Sequence, residues 1–158
     1  MRRIAIAVFS LALVGLAASP ALAASVHFKG GTPVLADNGL TATVSGALAG
    51  LGNQDVTITV TATGTPSATC TNKGGNRAPG QNPATVTLTG GLTISADEIE
   101  NGNVAFAVTT GAPAQPSARE AGCPSSTWTA RITDVAFTGY TVTVVQGGQT
   151  VLQRTFAV

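Results

Sequence analysis

The chain has 158 residues, of which 9% are charged, and its formal net charge is +1. A balance this close to neutral, without a basic or aromatic-basic stretch, excludes the electrostatic footprint of a nucleic-acid-binding protein and of a protein held on an anionic membrane. Low charge together with abundant threonine, valine and glycine favours an all-β protein, because β-branched threonine suits a strand and suits a helix poorly.

Residues 1–23 have the order of segments of a secretory signal peptide. Two arginines precede an apolar run from Ile4 to Ala18, and the small-residue site Ala21-Leu22-Ala23 follows. We therefore predict cleavage before a single domain over 24–158, secreted into the medium, or periplasmic if the host has an outer membrane. Six basic and seven acidic side chains remain in that domain, a net charge of −1. No second long apolar run follows, so no transmembrane anchor is predicted in the mature protein.

Short runs with period-two alternation follow, separated by glycine and asparagine turns. The plainest is Val56 to Thr63, in which apolar side chains face one way and threonines the other. Strands are predicted near 25–29, 40–48, 55–63, 84–94, 103–110, 127–138, 139–146 and 149–157. Seven to eight strands at this spacing predict a single antiparallel β-sandwich of immunoglobulin-like type.

Two local features refine this prediction. Gly147-Gly148 forms a two-residue hairpin loop that pairs Gln146 with Gln149 and Val144 with Val151. This register places Phe156 on the face of the threonines, which indicates either a bulge or burial of both faces near the end. Ser95 to Glu100 is the one helical candidate, with a capping box, and amounts to a turn at most.

The predicted core consists of the inward positions of these strands. Trp128 is included because it alternates with Ala130 and Ile132 and lies five residues after a cysteine, which places it beside a disulfide. The core residues are Val56, Ile58, Val60, Val86, Leu88, Val104, Phe106, Val108, Trp128, Ile132, Val142 and Val144.

Two cysteines, Cys70 and Cys123, are predicted to form a disulfide because the exported chain meets an oxidising compartment. Closing a loop of this span stabilises a fold by about 4 kcal/mol in the idealised entropic account. The segments 70–83 and 110–122 beside them lack alternation, and connections of this length are either functional or disordered.

The disulfide would fasten both segments at one end of the sandwich, and a clamped, amide-rich loop is preorganised for recognition. The candidate binding residues are Asn72, Lys73, Asn76, Arg77, Gln81, Asn82, Arg119 and Glu120. The alternative is that glycine, asparagine and proline serve here only to turn the chain.

The sequence offers no constellation for catalysis. His27 is the only histidine and lies alone on the first predicted strand. Asp97, Glu98 and Glu100 form the only acidic cluster, without the spacing of a calcium loop, and zinc ligands are lacking. We therefore predict a protein that is not an enzyme and that uses no metal or cofactor.

The alanine-, threonine- and valine-rich strands and scarce aromatics over Leu40–Val158 resemble small secreted bacterial immunoglobulin-like β-sandwich proteins, among them the apoprotein carriers of enediyne antibiotics. Those carriers typically have two disulfides, whereas this chain has cysteines for one. The segment Cys70 to Asn76, with Cys123-Pro124 and Trp128, resembles secreted bacterial proteins of unknown function. The resemblance implies the fold and carries over no binding residue.

The function predicted from these features is a non-catalytic binding or structural module that presents the clamped loops to an extracellular protein, glycan or small molecule. One alternative is a carrier of small apolar ligands, with a cleft lined by residues such as Phe137 or Tyr140. Another is an extracellular hydrolase, in which two carboxylates, or His27 and a partner, converge in a groove.

Overall fold

The structure, a computed structural model, describes residues 25–81 and 84–158. The predicted signal peptide over 1–23 lies outside the described residues. Within them, regular structure is almost entirely strand, with one short 3-10 turn at Ala96–Glu98. The strands are β1 His27–Phe28, β2 Val34–Asp37, β3 Ala42–Ala49, β4 Val56–Thr71, β5 Arg77–Pro79, β6 Val86–Ile94, β7 Val104–Thr109, β8 Thr129–Gln146 and β9 Gln149–Ala157.

The first sheet is built around β3. Strand β7 pairs with one edge of β3 along Thr43 to Leu48, and β1 and β2 pair in succession with the other edge. All of these pairs are antiparallel. Inward residues of β3, such as Val44 and Leu48, are fully buried, which fixes the face that this sheet turns to the core.

The second sheet is built around β4 and β8, of 16 and 18 residues, which pair antiparallel from end to end. On the other edge of β4, β6 pairs with the first nine residues and β5 with the last three. Strand β9 pairs with the second half of β8. One half of the β4–β8 ribbon is therefore flanked by β6 and β9, and the other half extends beyond these two strands.

The two sheets pack face to face and confirm the predicted all-β sandwich with antiparallel sheets. Val56, Ile58 and Val60 are fully buried in the main core, as their alternation predicts. Val86 and Val104 pack against that core as partly buried residues.

Trp128 is the exception among the predicted core residues. It is half-buried, belongs to neither hydrophobic cluster, and donates its backbone N–H to Ser125 O at 3.2 Å. The chain turns immediately before β8, so Trp128 lies outside the strand, which begins at Thr129. The in-and-out alternation of strand side chains therefore does not apply to its indole.

The structure corrects the predicted strands in three places. Strand β4 continues to Thr71, well past the predicted end at 63. The runs 127–138 and 139–146 are one strand, β8. Strands β2 and β5, absent from the prediction, are short and lie on sheet edges.

The β8–β9 hairpin confirms the predicted pairing of Gln146 with Gln149 and the suspected bulge. The bulge lies beside Val144, so this residue pairs with Leu152 instead of the predicted Val151. The same shift brings Phe156 opposite Tyr140 on the core side.

Candidate functional site

A disulfide joins Cys70 and Cys123, as predicted, with a Cα–Cα distance of 5.7 Å. Cys70 lies near the end of β4, where it pairs with Ala130 of β8 and is fully buried. The bridge packs in a small hydrophobic cluster, separate from the main core, formed by Ala68, Ala121 and Ala130. The end of the β4–β8 ribbon thus has its own core, and the disulfide is part of it.

The described part of the first predicted loop, residues 70–81, contains a hairpin, which corrects the expectation of a segment without internal structure over 70–83. Asn72 closes it: its Oδ1 accepts a hydrogen bond from Asn76 N at 2.9 Å, and its backbone N–H donates to Asn76 O at 3.0 Å. Arg77 then begins β5 opposite Thr71. Asn72 and Asn76, which were predicted to bind a ligand, thus form hydrogen bonds that stabilise the turn.

The second loop is organised by a helical turn over 117–123. Ser117 N donates to a Glu120 carboxylate oxygen at 2.8 Å, and Cys123 N donates to Ala118 O at 2.8 Å. Hydrogen bonds from the backbone and side chain of Ser117 lower the pKa of Glu120. Glu120 was a predicted binding residue, and its carboxylate is engaged within its own turn.

The two loops meet, as the predicted clamp requires. Gln81 N donates to Ala121 O at 3.0 Å, and Gly80 N donates to Ala68 O at 2.8 Å. A Cβ at Gly80 would lie 2.8 Å from Ala121 O, so the close approach of the two backbones requires glycine there. Disulfide and backbone hydrogen bonds together hold both loops at the far end of the ribbon.

A groove of about 590 Å³ lies at this end of the ribbon, and Ala130 of the disulfide cluster contributes to its lining. We call it the loop-end groove. Its lining residues are Thr71, Asn72, Lys73, Gln115, Thr127, Thr129, Ala130 and Arg131. The volume is within the range of small-molecule sites.

The structure gathers only part of the predicted binding set at this groove. Asn72 and Lys73 line it, and Arg77 flanks it from the position opposite Thr71. The remaining predicted residues are Asn76 in the hairpin turn, Gln81 at the loop contact, and Arg119 and Glu120 on the helical turn. Asn82 lies outside the described residues.

Gln115 and Arg131 line the groove but were missed by sequence reasoning. Gln115 Oε1 accepts a hydrogen bond from Ile132 N at 2.7 Å, which fixes the second loop against the open edge of β8. Arg131 is an outward position of β8, paired with Thr69. One sequence signal could have identified Arg131. It is a charged residue on a strand face that otherwise carries hydroxyl groups, and it lies close to a loop bounded by a cysteine.

Charge is distributed unevenly along the molecule. Every outward position of β4 carries a hydroxyl, and these positions are Thr57, Thr59, Thr61, Thr63, Thr65, Ser67, Thr69 and Thr71. Four cations lie at the disulfide end, namely Lys73, Arg77, Arg119 and Arg131, with Glu120 beside them. The opposite end carries Asp55, Asp97, Glu98 and Glu100, with Lys29.

The residues considered for catalysis or for a ligand-carrier cleft lie apart from this groove. His27 is exposed on β1, and its Nδ1–H donates to Ser25 O at 2.9 Å. Phe137 and Tyr140, expected to line a cleft in a ligand carrier, are buried in the core between the sheets. In the parts of the chain that the structure describes, no cluster of three or more histidine, cysteine or acidic residues is placed to hold a metal ion.

Fold and site together define a disulfide-clamped β-sandwich with a polar groove at one end. Across residues 25–81 and 84–158, no helix is long and apolar enough to span a bilayer. Comparison with protein-family models found no matching family, and comparison with curated proteins found no significant match.

Proposed function

We propose that the protein is an exported, non-catalytic binding module and that the loop-end groove is its binding surface. The observation that supports this proposal is the double fastening of the two loops. Cys70–Cys123 and the Gln81–Ala121 backbone hydrogen bond hold them at fixed positions beside the groove. A surface ordered before binding loses less conformational entropy when a ligand docks.

The shape and chemistry of the groove also support the proposal. Its walls come from strand ends and from turns closed by their own hydrogen bonds, so a rigid scaffold carries the polar groups. Hydroxyl, amide and cationic side chains converge there within a volume that accommodates a small ligand or a short segment of a polymer.

The test is binding to an array of immobilised neutral and acidic oligosaccharides, with a variant that fills the groove without changing its charge. Thr129 is exposed and lines the groove, so Thr129→Trp is the blocking variant. Thr57→Trp is the matched control, because Thr57 is exposed on the outward face at the other end of the β4–β8 ribbon.

The proposal expects retained binding in the control and loss of at least about tenfold in affinity in the blocked variant, equivalent to about 1.4 kcal/mol. Equal binding by both variants, or no binding of any probe by the unmodified protein, would overturn it. Circular dichroism of each variant verifies that the sandwich is retained.

A further inference from the structure

We infer that the ligand of the loop-end groove carries oxyanions, that is, carboxylate, sulfate or phosphate groups. This inference rests on the proposed function and names the ligand chemistry of that same groove. Its basis is the set of hydrogen-bonding groups that the groove leaves available, together with the placement of the cations.

The two amide side chains in the groove use their acceptor atoms internally. Asn72 Oδ1 accepts from Asn76 N, and Gln115 Oε1 accepts from Ile132 N, at 2.9 and 2.7 Å. In each amide one lone pair of the oxygen is occupied, whereas none of the described hydrogen bonds uses the NH2 group, which is a donor. The internal hydrogen bonds that shape the loops thus favour donation by both amides to a ligand.

The charged residues of the groove are donors as well. Lys73 and Arg131 line it, and none of the described lining residues is acidic. Arg77 lies on the neighbouring strand, directly opposite Thr71, and directly opposed side chains are about 5 Å apart at Cβ. Arginine presents a planar fork of donors that matches a carboxylate, sulfate or phosphate group.

The cations at this end outnumber the nearby carboxylates. Glu120 accepts the hydrogen bond of Ser117 N in its own turn. Asp134 pairs with Ser67, one outward position along the ribbon from the Thr69–Arg131 pair. These two acids face four cations, which leaves an excess of positive charge. Four acidic residues lie at the opposite end of the β4–β8 ribbon, and 16 residues of strand span about 50 Å. This distance is several Debye lengths at physiological salt, so those acids do not neutralise the groove.

The experiment measures binding by isothermal titration calorimetry with four probes. A galacturonate hexamer supplies carboxylates, a sulfated disaccharide supplies sulfates, inorganic phosphate supplies a free oxyanion, and a glucose hexamer is the neutral control. The key variant is Lys73→Gln with Arg131→Gln. Lys29→Gln with Arg154→Gln is matched to it in net charge, and both of its sites lie away from the groove.

The inference expects at least one anionic probe to bind, the glucose hexamer not to bind, and affinity to fall as salt rises. The groove variant should lose about tenfold or more in affinity, since it removes two charged donors and charge-assisted hydrogen bonds are stronger than neutral ones. The control variant should lose less than about twofold. Which anionic probe binds identifies the source of the oxyanion.

Three results would overturn the inference: equal losses in both variants, binding of the glucose hexamer alone, or no binding of any probe. If Thr129→Trp abolishes binding of a neutral probe that Thr57→Trp still binds, the groove remains a binding site and only the assignment of an anionic ligand fails. If Thr129→Trp and Thr57→Trp bind every probe equally well, the groove is not the binding site and the proposed function fails as well.

Discussion

The hydroxyl of Tyr140, on β8 of the second sheet, donates a hydrogen bond to the carbonyl oxygen of Pro33, directly before β2 of the first sheet. The Tyr140 ring stacks on Phe156 with centroids 5.0 Å apart, and Phe156 in turn contacts Phe28 of the first sheet. The hydrogen bond between Tyr140 and Pro33 joins residues that are 107 positions apart. It therefore fastens the two sheets where the β8–β9 hairpin covers the core.

Substituting Tyr140→Phe should lower the free energy of unfolding by about 1 kcal/mol, because it leaves the Pro33 carbonyl without its buried partner while keeping the ring. Urea denaturation followed by circular dichroism measures the change. A loss near zero would show that the hydrogen bond contributes no net stability.

The same residue predicts a dependence on high pH. Burial raises the pKa of Tyr140 above its ordinary value of 10.0. The folded state then keeps the phenolic proton to higher pH than the unfolded state does. Stability from this group is fully present below the unfolded pKa and is lost as pH rises through the folded pKa. The unmodified protein should thus lose stability above about pH 10 more steeply than Tyr140→Phe, and equal slopes would contradict the prediction.

Removal of the disulfide by Cys70→Ala with Cys123→Ala should cost about 2–4 kcal/mol, since the bridge spans 53 positions and restricts the unfolded chain. The main core lies apart from the bridge, so the strand signal in circular dichroism should be retained. Urea midpoints of the oxidised protein and of the variant give the difference. A midpoint unchanged by the substitution would show that the clamp does not support the fold.

Gln146 should be the most sensitive polar side chain of the sandwich. It is 6% exposed, accepts from Gly52 N at 2.8 Å, and donates to Gln54 O at 2.7 Å. Gln146→Leu should cost about 1–2 kcal/mol, because the partly buried backbone groups of Gly52 and Gln54 lose their partners. Gln149→Leu, at an exposed position of the same hairpin, is the control and should change stability by less than about 0.5 kcal/mol.

Two adjacent glycines of β6 should respond in opposite ways to alanine. A Cβ at Gly90 would lie 2.2 Å from Thr109 O, whereas one at Gly91 meets nothing closer than 3.9 Å. Gly90→Ala should therefore destabilise by about 1–3 kcal/mol through overpacking. Gly91→Ala should be neutral or stabilising by up to about 1 kcal/mol, because it restricts the unfolded chain. Equal effects would show that β6 and β7 are not in the close contact described.

Alternation predicted most of the sandwich because one face of each strand is buried. It failed within β8 at two bulges. Thr133 and Thr138 are extra residues there, and each donates its hydroxyl to a carbonyl of β4, Ser67 O and Thr63 O. Each bulge shifts the inward phase by one position, so the sequence reads as two strands where the structure has one.

The candidate site was predictable only in outline. Cysteine count and loop composition indicated a clamped end, and the structure contains it. The hairpin at Asn72 was missed because Arg77-Ala78-Pro79 has no alternation and ends in proline, as edge strands tolerate. Gln115 and Arg131 come from different segments, and only the pairing of β8 with β4 brings them beside Lys73.

Residue-by-residue NMR mapping of a bound anionic probe is the most direct test that the loop-end groove is the binding site. Backbone amide shifts of the isotope-labelled protein would be followed during titration with the anionic probe that binds most tightly in calorimetry. The largest changes are expected at Asn72, Lys73 and Arg131. A second groove, of about 650 Å³, lies at the opposite end of the molecule and is lined in part by Lys29, Glu98, Glu100 and Asn101. Changes centred on that groove instead would contradict the proposed site.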